Sequence, residues 1–309
     1  MDNLPKVEIG VAAYGPQQSE WWQSIMMNLI SEQRNTIDIV AITKSMSMLP
    51  DDNKNKIVDF SLTHMYGVKD RDHQTDVNRN KIAHWFMHPD QDTDTEKKKK
   101  AEWLVMIDTD TVPPPGFIKA MIDLKRPIVS GIYFLPKEPF TPIAYKRTTD
   151  GLYEPVVNYQ PGELIEVDSI GMGCVLIHSS VFETIQKNHV VYQNQVTGEM
   201  IPVYKEHIVN THKYSGTKKH TWVAGGLLNI PVREVNWDNE DHPWPFFALG
   251  YSRTEDHFFC ELANNVGIKP FLDTTITCEH WKFKPTVEAD YKGYKKAYNK
   301  HMAEMKGEK

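Results

Sequence analysis

Cysteine is scarce in this chain. The three present, Cys174, Cys260 and Cys278, are an odd number at unrelated spacings, which fits neither a disulfide framework nor a zinc cluster. Long apolar runs are lacking too. Stretches such as Trp103 to Ile107 are far short of the roughly 20 residues that a membrane-spanning helix needs. The N-terminus, MDNLPKVEIG, has no basic region followed by an apolar block, so no secretory signal is read and a soluble, cytoplasmic protein is expected. Positive charge is not in excess: 35 Lys and Arg against 41 Asp and Glu leave a net charge of −6. That weighs against a general nucleic-acid binder. The Lys97 to Lys100 run follows an acidic stretch and reads as a mixed-charge solvated loop. No internal repeat is visible. No G-x-G-x-x-G follows the first predicted strand, which excludes a Rossmann dehydrogenase, and no hydrolase signature has its local context.

What is present is an alternation. The 309 residues are 40% hydrophobic and 25% charged, enough chain and apolar content for a sizeable core. Strands are predicted over Val7–Gly15, Ile37–Lys44, Trp103–Thr111 and Ile128–Phe134. Helical spacing recurs over Trp21–Ile30, Val77–Met87 and Pro113–Leu124. Strands alternating with helices imply βαβ units and a mainly parallel sheet flanked by helices. After about Leu135 the pattern turns β-rich, through PIAYKR, LYEPVV and LIEVDSIGMGCVLIH. An aperiodic excursion rich in His, Tyr, Trp, Gly and Pro runs from Tyr192 to Pro245. A helix follows over Thr254–Val266, stopped by Gly267, and then a strand over Lys269–Cys278. One mixed α/β domain over residues 1–285 is expected, with a first half at 1–134, a second at 135–285, and a Lys/Tyr-rich tail at 286–309.

The sharpest chemical signal is Asp108-Thr109-Asp110 at the end of a buried strand. Ligands of open α/β sheets sit at the carboxyl ends of strands, and paired carboxylates there make a hard-oxygen site for Mg²⁺ or Mn²⁺. The plain alternative is an Asp-rich turn or a helix cap before Pro113. Other pieces accompany it: Asp76-Val77-Asn78-Arg79-Asn80-Lys81, Gly171-Met172-Gly173, Thr254-Glu255-Asp256-His257, and Cys278-Glu279-His280-Trp281.

In this order, over Val7 to Trp281, these pieces resemble the nucleotide-sugar glycosyltransferases of the GT-A fold, in their family-2-like bacterial and bacteriophage branch. The resemblance implies a Rossmann-like sheet, a divalent metal and a nucleotide-sugar donor, UDP-sugar before GDP-sugar. It implies Asp110 and His280 as metal ligands, with Asp108 at the metal or the ribose. Ala12, Ala13 and Tyr14 would meet the nucleotide base, and Thr43, with Lys44 and Ser45, stands where an acid often follows the second strand. Arg79 would reach the diphosphate or else form an ion pair. Gly171 and Gly173 would admit the donor sugar or mark a strand bulge. Asp256 would be the general base of an inverting transfer with Glu255 beside it, or the two acids would simply be a cap or dipole partner of a helix. Trp222, Gly225, Gly226, Trp237, Trp244 and Trp281 are candidates for an aromatic platform and a glycine hinge. The acceptor expected is a glycan or a hydroxymethylated base in phage DNA; Lys218-Lys219-His220 and the Lys282 to Lys300 stretch favour the latter. A non-catalytic sugar-binding module and a nucleotidyltransferase are the other readings.

Overall fold

A computed structural model describes residues 6–12, 38–44, 64–65, 75–88, 101–194, 200–204, 221–223, 226–228, 232–234, 243–249, 254–281, 285–286, 291–296 and 299. The expected helix over Trp21–Ile30, and Ala13, Tyr14, Ser45, Lys218 to His220, Gly225 and Trp237, lie outside these residues. Among the described residues no helix is long and apolar enough to cross a membrane.

The centre is an eight-stranded mixed sheet. It contains β1 (Lys6–Ala12), β2 (Asp38–Lys44), β3 (His64–Met65), β4 (Trp103–Asp108), β6 (Ile128–Ile132), β9 (Leu164–Glu166), β11 (Cys174–His178) and β17 (Phe271–Thr277), in the order β3-β2-β1-β4-β11-β6-β17-β9. β3, β2, β1 and β4 pair in parallel, as do β6 and β17. β11 runs antiparallel between β4 and β6 and joins the two parallel groups.

β4 is buried on both faces, as a strand in such a sheet must be. Leu104 and Met106 join one apolar cluster, while Val105 and Ile107 join the other. The first cluster takes in α1 (Thr75–Met87), α3 (Ser179–Asn188) and α4 (Glu255–Asn265) through residues such as Ile82, Phe182 and Phe259. The second takes in α2 (Phe117–Asp123) through Phe117, Ile118 and Met121. Helices therefore cover both faces of the sheet. The molecule is α/β, as the alternating pattern predicts.

Three predicted elements change on inspection. Trp103–Thr111 is not one strand: β4 stops at Asp108, the chain turns through Thr109 and Asp110, and β5 (Thr111–Val112) begins in another sheet. LIEVDSIGMGCVLIH breaks into β9, β10 (Ser169–Ile170) and β11. The helix after Pro113 starts only at Phe117, because Gly116 takes the left-handed conformation at φ 81° before it. α3 has no counterpart in the sequence reading. Two of the smaller sheets are β10 with β7 (Ala144–Arg147) and β8 (Tyr153–Pro155), and β5 with β18 (Glu279–Trp281) and β19 (Pro285–Thr286). The Tyr192–Pro245 excursion begins within β12 (His189–Asn194) and goes on through β13 (Met200–Tyr204), β14 (Thr221–Val223), β15 (Gly226–Leu228) and β16 (Val232–Glu234).

An aromatic cluster binds the helices of one face together. Phe182 lies 5.8 Å from Phe86, 4.8 Å from Phe246 and 5.7 Å from Phe259, and Phe247 stacks on Phe259 at 4.8 Å. Such pairs add about 0.5–1.5 kcal/mol each beyond the area they bury. Trp244 is part of this packing, 6% exposed and 4.5 Å from Phe246. The expected sugar platform at Trp244 is thus a core residue. Trp222 and Gly226 fall on the β14–β15 hairpin and Trp281 in β18.

Candidate functional site

The sheet order reverses direction between β1 and β4, and their carboxyl ends meet there, with Ala12 paired to Asp108. This is a topological switch point, where open α/β sheets leave a crevice for ligands. Thr43 pairs with Gly10, so the end of β2 lies along the same rim. The carboxyl ends of β6 and β17 point the same way, because both run parallel to β4 through the intervening antiparallel β11.

Beyond β4, the turn at Thr109-Asp110 leads into β5, which pairs antiparallel with β18 and places His280 opposite Thr111. That pairing brings residues distant in the chain together: His280 Nε2 stands 3.3 Å from Asp110 Oδ2. The other ring nitrogen, Nδ1, is 2.8 Å from the Phe134 carbonyl. A carbonyl only accepts, so Nδ1 carries the proton in the neutral ring and Nε2 keeps its lone pair. Nε2 and the Asp110 carboxylate are then two acceptors facing each other, an arrangement that a proton or a metal cation between them satisfies.

Asp108 points elsewhere. Its Oδ2 accepts from Arg79 Nη2 at 3.1 Å, and its Oδ1 is buried with no hydrogen-bond partner among the described residues. Arg79 is 2% exposed and reaches two more carboxylates, Glu255 Oε1 at 3.4 Å and Asp256 Oδ1 at 3.8 Å, while Nη1 donates to the Met172 carbonyl at 3.2 Å. Arg79 thus forms the ion pair that was its other expected role, buried rather than on the surface. Its fork is occupied by carboxylates from β4 and α4, which fixes the first turn of α4 against the end of β4.

One guanidinium cannot neutralise three carboxylates. Burial raises the Asp256 carboxyl to about 8, with Glu255 and Asp108 adding to the rise and Arg79 opposing it. Asp108 is raised as well, first by burial and then by Asp110 and Glu255, again against Arg79. A strongly raised carboxyl at the head of a helix, beside a crevice, is the condition an acid–base group needs near neutral pH. Glu255 and Asp256 both lie in the first turn of α4, where the helix dipole favours negative charge, while the N-cap itself is Thr254, whose side chain makes no cap hydrogen bond.

Gly171 and Gly173 lie where the chain passes from β10 to β11. A Cβ on Gly171 would stand 1.9 Å from the Tyr133 hydroxyl, and one on Gly173 would stand 2.8 Å from Thr111 Oγ1. Gly173 N–H donates to the Tyr133 hydroxyl at 2.9 Å, and the Gly173 carbonyl accepts from Asp108 N–H at 3.0 Å. The glycines thus make room for Tyr133 and Thr111 beside Asp108. Burial, with Asp256 and Asp108 nearby, pushes the Tyr133 hydroxyl well above its usual range.

The sequence reading passed over Asn80, Asp76 and Tyr133. Asn80 Oδ1 accepts from Phe247 N–H at 2.9 Å, and Asn80 Nδ2 donates to the Phe247 carbonyl at 2.7 Å, both buried. One turn earlier, Asp76 Oδ2 accepts from Leu249 N–H at 3.3 Å. These i, i+4 residues clamp segment 243–249 to the helix carrying Arg79, and Phe247 stacks on α4. The signal was present in the Asp76 to Asn80 motif, where only Arg79 was assigned a role.

Among the described residues, no group of three or more His, Cys, Asp or Glu side chains is gathered to hold a metal. Asp110 and His280 come together; Asp108 stands beside them but faces Arg79.

No family model and no curated protein matches the chain. A search of solved structures returns, among others, the crystal structure of A197 from STIV, at 11% identity and a TM-score of 0.38, covering 90% of this chain and 86% of that one.

Proposed function

We propose that this chain is a metal-dependent glycosyltransferase of the GT-A type. It would transfer a sugar from a nucleotide-sugar donor, UDP-sugar before GDP-sugar, to an acceptor hydroxyl on a glycan or a hydroxymethylated base. The observation that carries the reading is the facing pair Asp110 and His280 Nε2, next to Asp108, which shares Arg79 with Asp256. The pair suits a divalent cation: the Nε2 of a ring whose Nδ1 donates to the Phe134 carbonyl, and a carboxylate 3.3 Å from it. Mn²⁺ or Mg²⁺ there would neutralise charge on the departing nucleoside diphosphate.

The remaining roles belong to the chain. The crevice between β1 and β4 receives the nucleotide. Arg79 holds Asp256 and Glu255 at a fixed distance from Asp108. Asp256, once ionised, takes the proton from the acceptor hydroxyl as its oxygen bonds to the anomeric carbon. The bond from that carbon to the diphosphate breaks in the same displacement, which inverts the centre. Asp256 then returns the proton to solvent.

The test is release of free nucleotide from a panel of UDP- and GDP-sugars with Mn²⁺ or Mg²⁺, followed by chromatography. Metal-dependent release from one donor, lost in Asp110→Ala and His280→Ala, is the expected result. Silence across the panel, with no metal-dependent nucleotide binding by calorimetry, overturns it in favour of a non-catalytic module.

A further inference from the structure

We infer that the C-terminal helical turn, residues 291–296, is a strap that positions His280 through Tyr291; this rests on the metal-dependent reading above. Tyr291 is 3% exposed, and its ring stacks on Phe134 with centroids 5.1 Å apart and planes 23° apart. Tyr159 stacks near it at 6.1 Å. The Tyr291 hydroxyl donates to the Val157 carbonyl at 2.5 Å, and Lys295 Nζ donates to the same carbonyl at 2.5 Å. Tyr294 adds an edge contact to Phe140. The strap is thereby fixed at four residues of the segment 134–159, namely Phe134, Phe140, Val157 and Tyr159.

The consequence lies at Phe134, whose carbonyl accepts from His280 Nδ1. Phe134 is beyond the end of β6, and its ladder pairing is a single bridge to Pro142. Leu135 N–H donates to the Thr141 carbonyl and Ile143 N–H to the Tyr133 carbonyl, both at 3.0 Å, so the Phe134 carbonyl belongs to a short hairpin, which the strap braces at Phe140 and at Phe134. Its ring, fully buried, is held by Tyr291. On the other side, the Tyr133 ring meets the His280 ring edge-on at 5.7 Å. Consecutive residues thus hold the imidazole, and the C-terminal turn holds one of them. Partners that fix a ligating imidazole through its second nitrogen commonly change metal affinity about 10–100-fold when lost.

The experiment uses the full chain and measures free Mn²⁺ by electron paramagnetic resonance during titration, with no substrate present. Tyr291→Leu removes the stack while keeping bulk, and is expected to weaken Mn²⁺ binding about tenfold. Tyr291→Phe keeps the stack and is expected to stay within about twofold. Phe182→Leu is the control: it opens a comparable gap in the core away from His280 and is expected to lower thermal stability with Mn²⁺ affinity unchanged. Should Tyr291→Leu fail to fold, Tyr294→Ala loosens the same strap at a half-buried contact, with about a threefold loss expected by the same reasoning. Wild-type affinity in both strap variants, with His280→Ala weakened, overturns the strap. Mn²⁺ binding that is absent in the wild type, or indifferent to His280→Ala, overturns the proposed function and the strap with it.

Discussion

Replacing Arg79 with methionine keeps the length of the side chain and removes the charge that three carboxylates share. At 3.1, 3.4 and 3.8 Å, each contact is worth about 4–5 kcal/mol of gross attraction at an effective dielectric near 20. Desolvation of the buried partners offsets most of that sum. What remains after deleting one partner of a buried ion cluster is a loss of about 3–5 kcal/mol, because the stranded charges stay behind. The loss must depend on pH. The Asp256 carboxyl, at about 8 against 3.8 unperturbed, binds more proton folded than unfolded through that window, so its ionisation destabilises the fold as pH rises. Without Arg79 the carboxylates hold protons still more tightly, and the variant escapes part of its penalty in acid. Urea unfolding at pH 8 and at pH 5.5 is the assay. Arg79→Met is expected to lose about 3–5 kcal/mol at pH 8 and distinctly less at pH 5.5. A loss below about 1 kcal/mol at pH 8, the range of an exposed pair, or a loss that grows on acidification, refutes the buried-cluster account.

Asp256→Asn is expected to lower sugar transfer about 10²–10⁴-fold, while the wild-type kcat/KM climbs with pH through about 8 as the free carboxyl ionises; a flat profile from pH 6 to 9 contradicts the assignment. The same substitution is expected to flatten the fall of stability between pH 4 and 8, which thermal melts at several pH values will report. Asn80→Ala strands the Phe247 N–H and carbonyl and is expected to cost about 2–3 kcal/mol; hydrogen exchange should show residues 243–249 losing protection first. Gly171→Ala drives a methyl onto the Tyr133 hydroxyl and is expected to destabilise by about 1–3 kcal/mol, whereas alanine at Gly293, where nothing stands within 4 Å of the added carbon, is expected to be near neutral in the same melt.

The middle of the sheet could be read from the sequence because β4 and β6 are short apolar runs, a pattern that burial on both faces imposes locally. The D-x-D could be read because a strand end is itself a local feature. α4 announced itself with an acidic first turn and a terminal glycine, Gly267 at φ 78°. α3 stayed hidden because its N-cap is His178, which accepts from Ser180 N–H at 3.2 Å, while the usual capping residues are Ser, Thr, Asp and Asn. The true setting of Arg79 was unreadable for a different reason. Its partners lie on β4 and α4, and only the packed fold brings them within reach. Asp110 and His280 were paired through resemblance; the β5–β18 ladder that joins them spans most of the chain's second half and leaves no mark in either local sequence.

The placement of β11 has a consequence for how the chain is made. β4 and β6 are close in sequence, yet they are not neighbours in the sheet, because β11 lies between them and is synthesised later. On a ribosome, one long edge of β4 therefore waits for its partner for roughly several seconds at about 5–20 residues per second. During that wait a strand of Trp, Leu, Val, Met and Ile offers open backbone groups to any other strand, the condition that seeds intermolecular pairing. Translation that pauses before Cys174 would lengthen this exposure, and yield would then depend on the pace of elongation and on holdase chaperones.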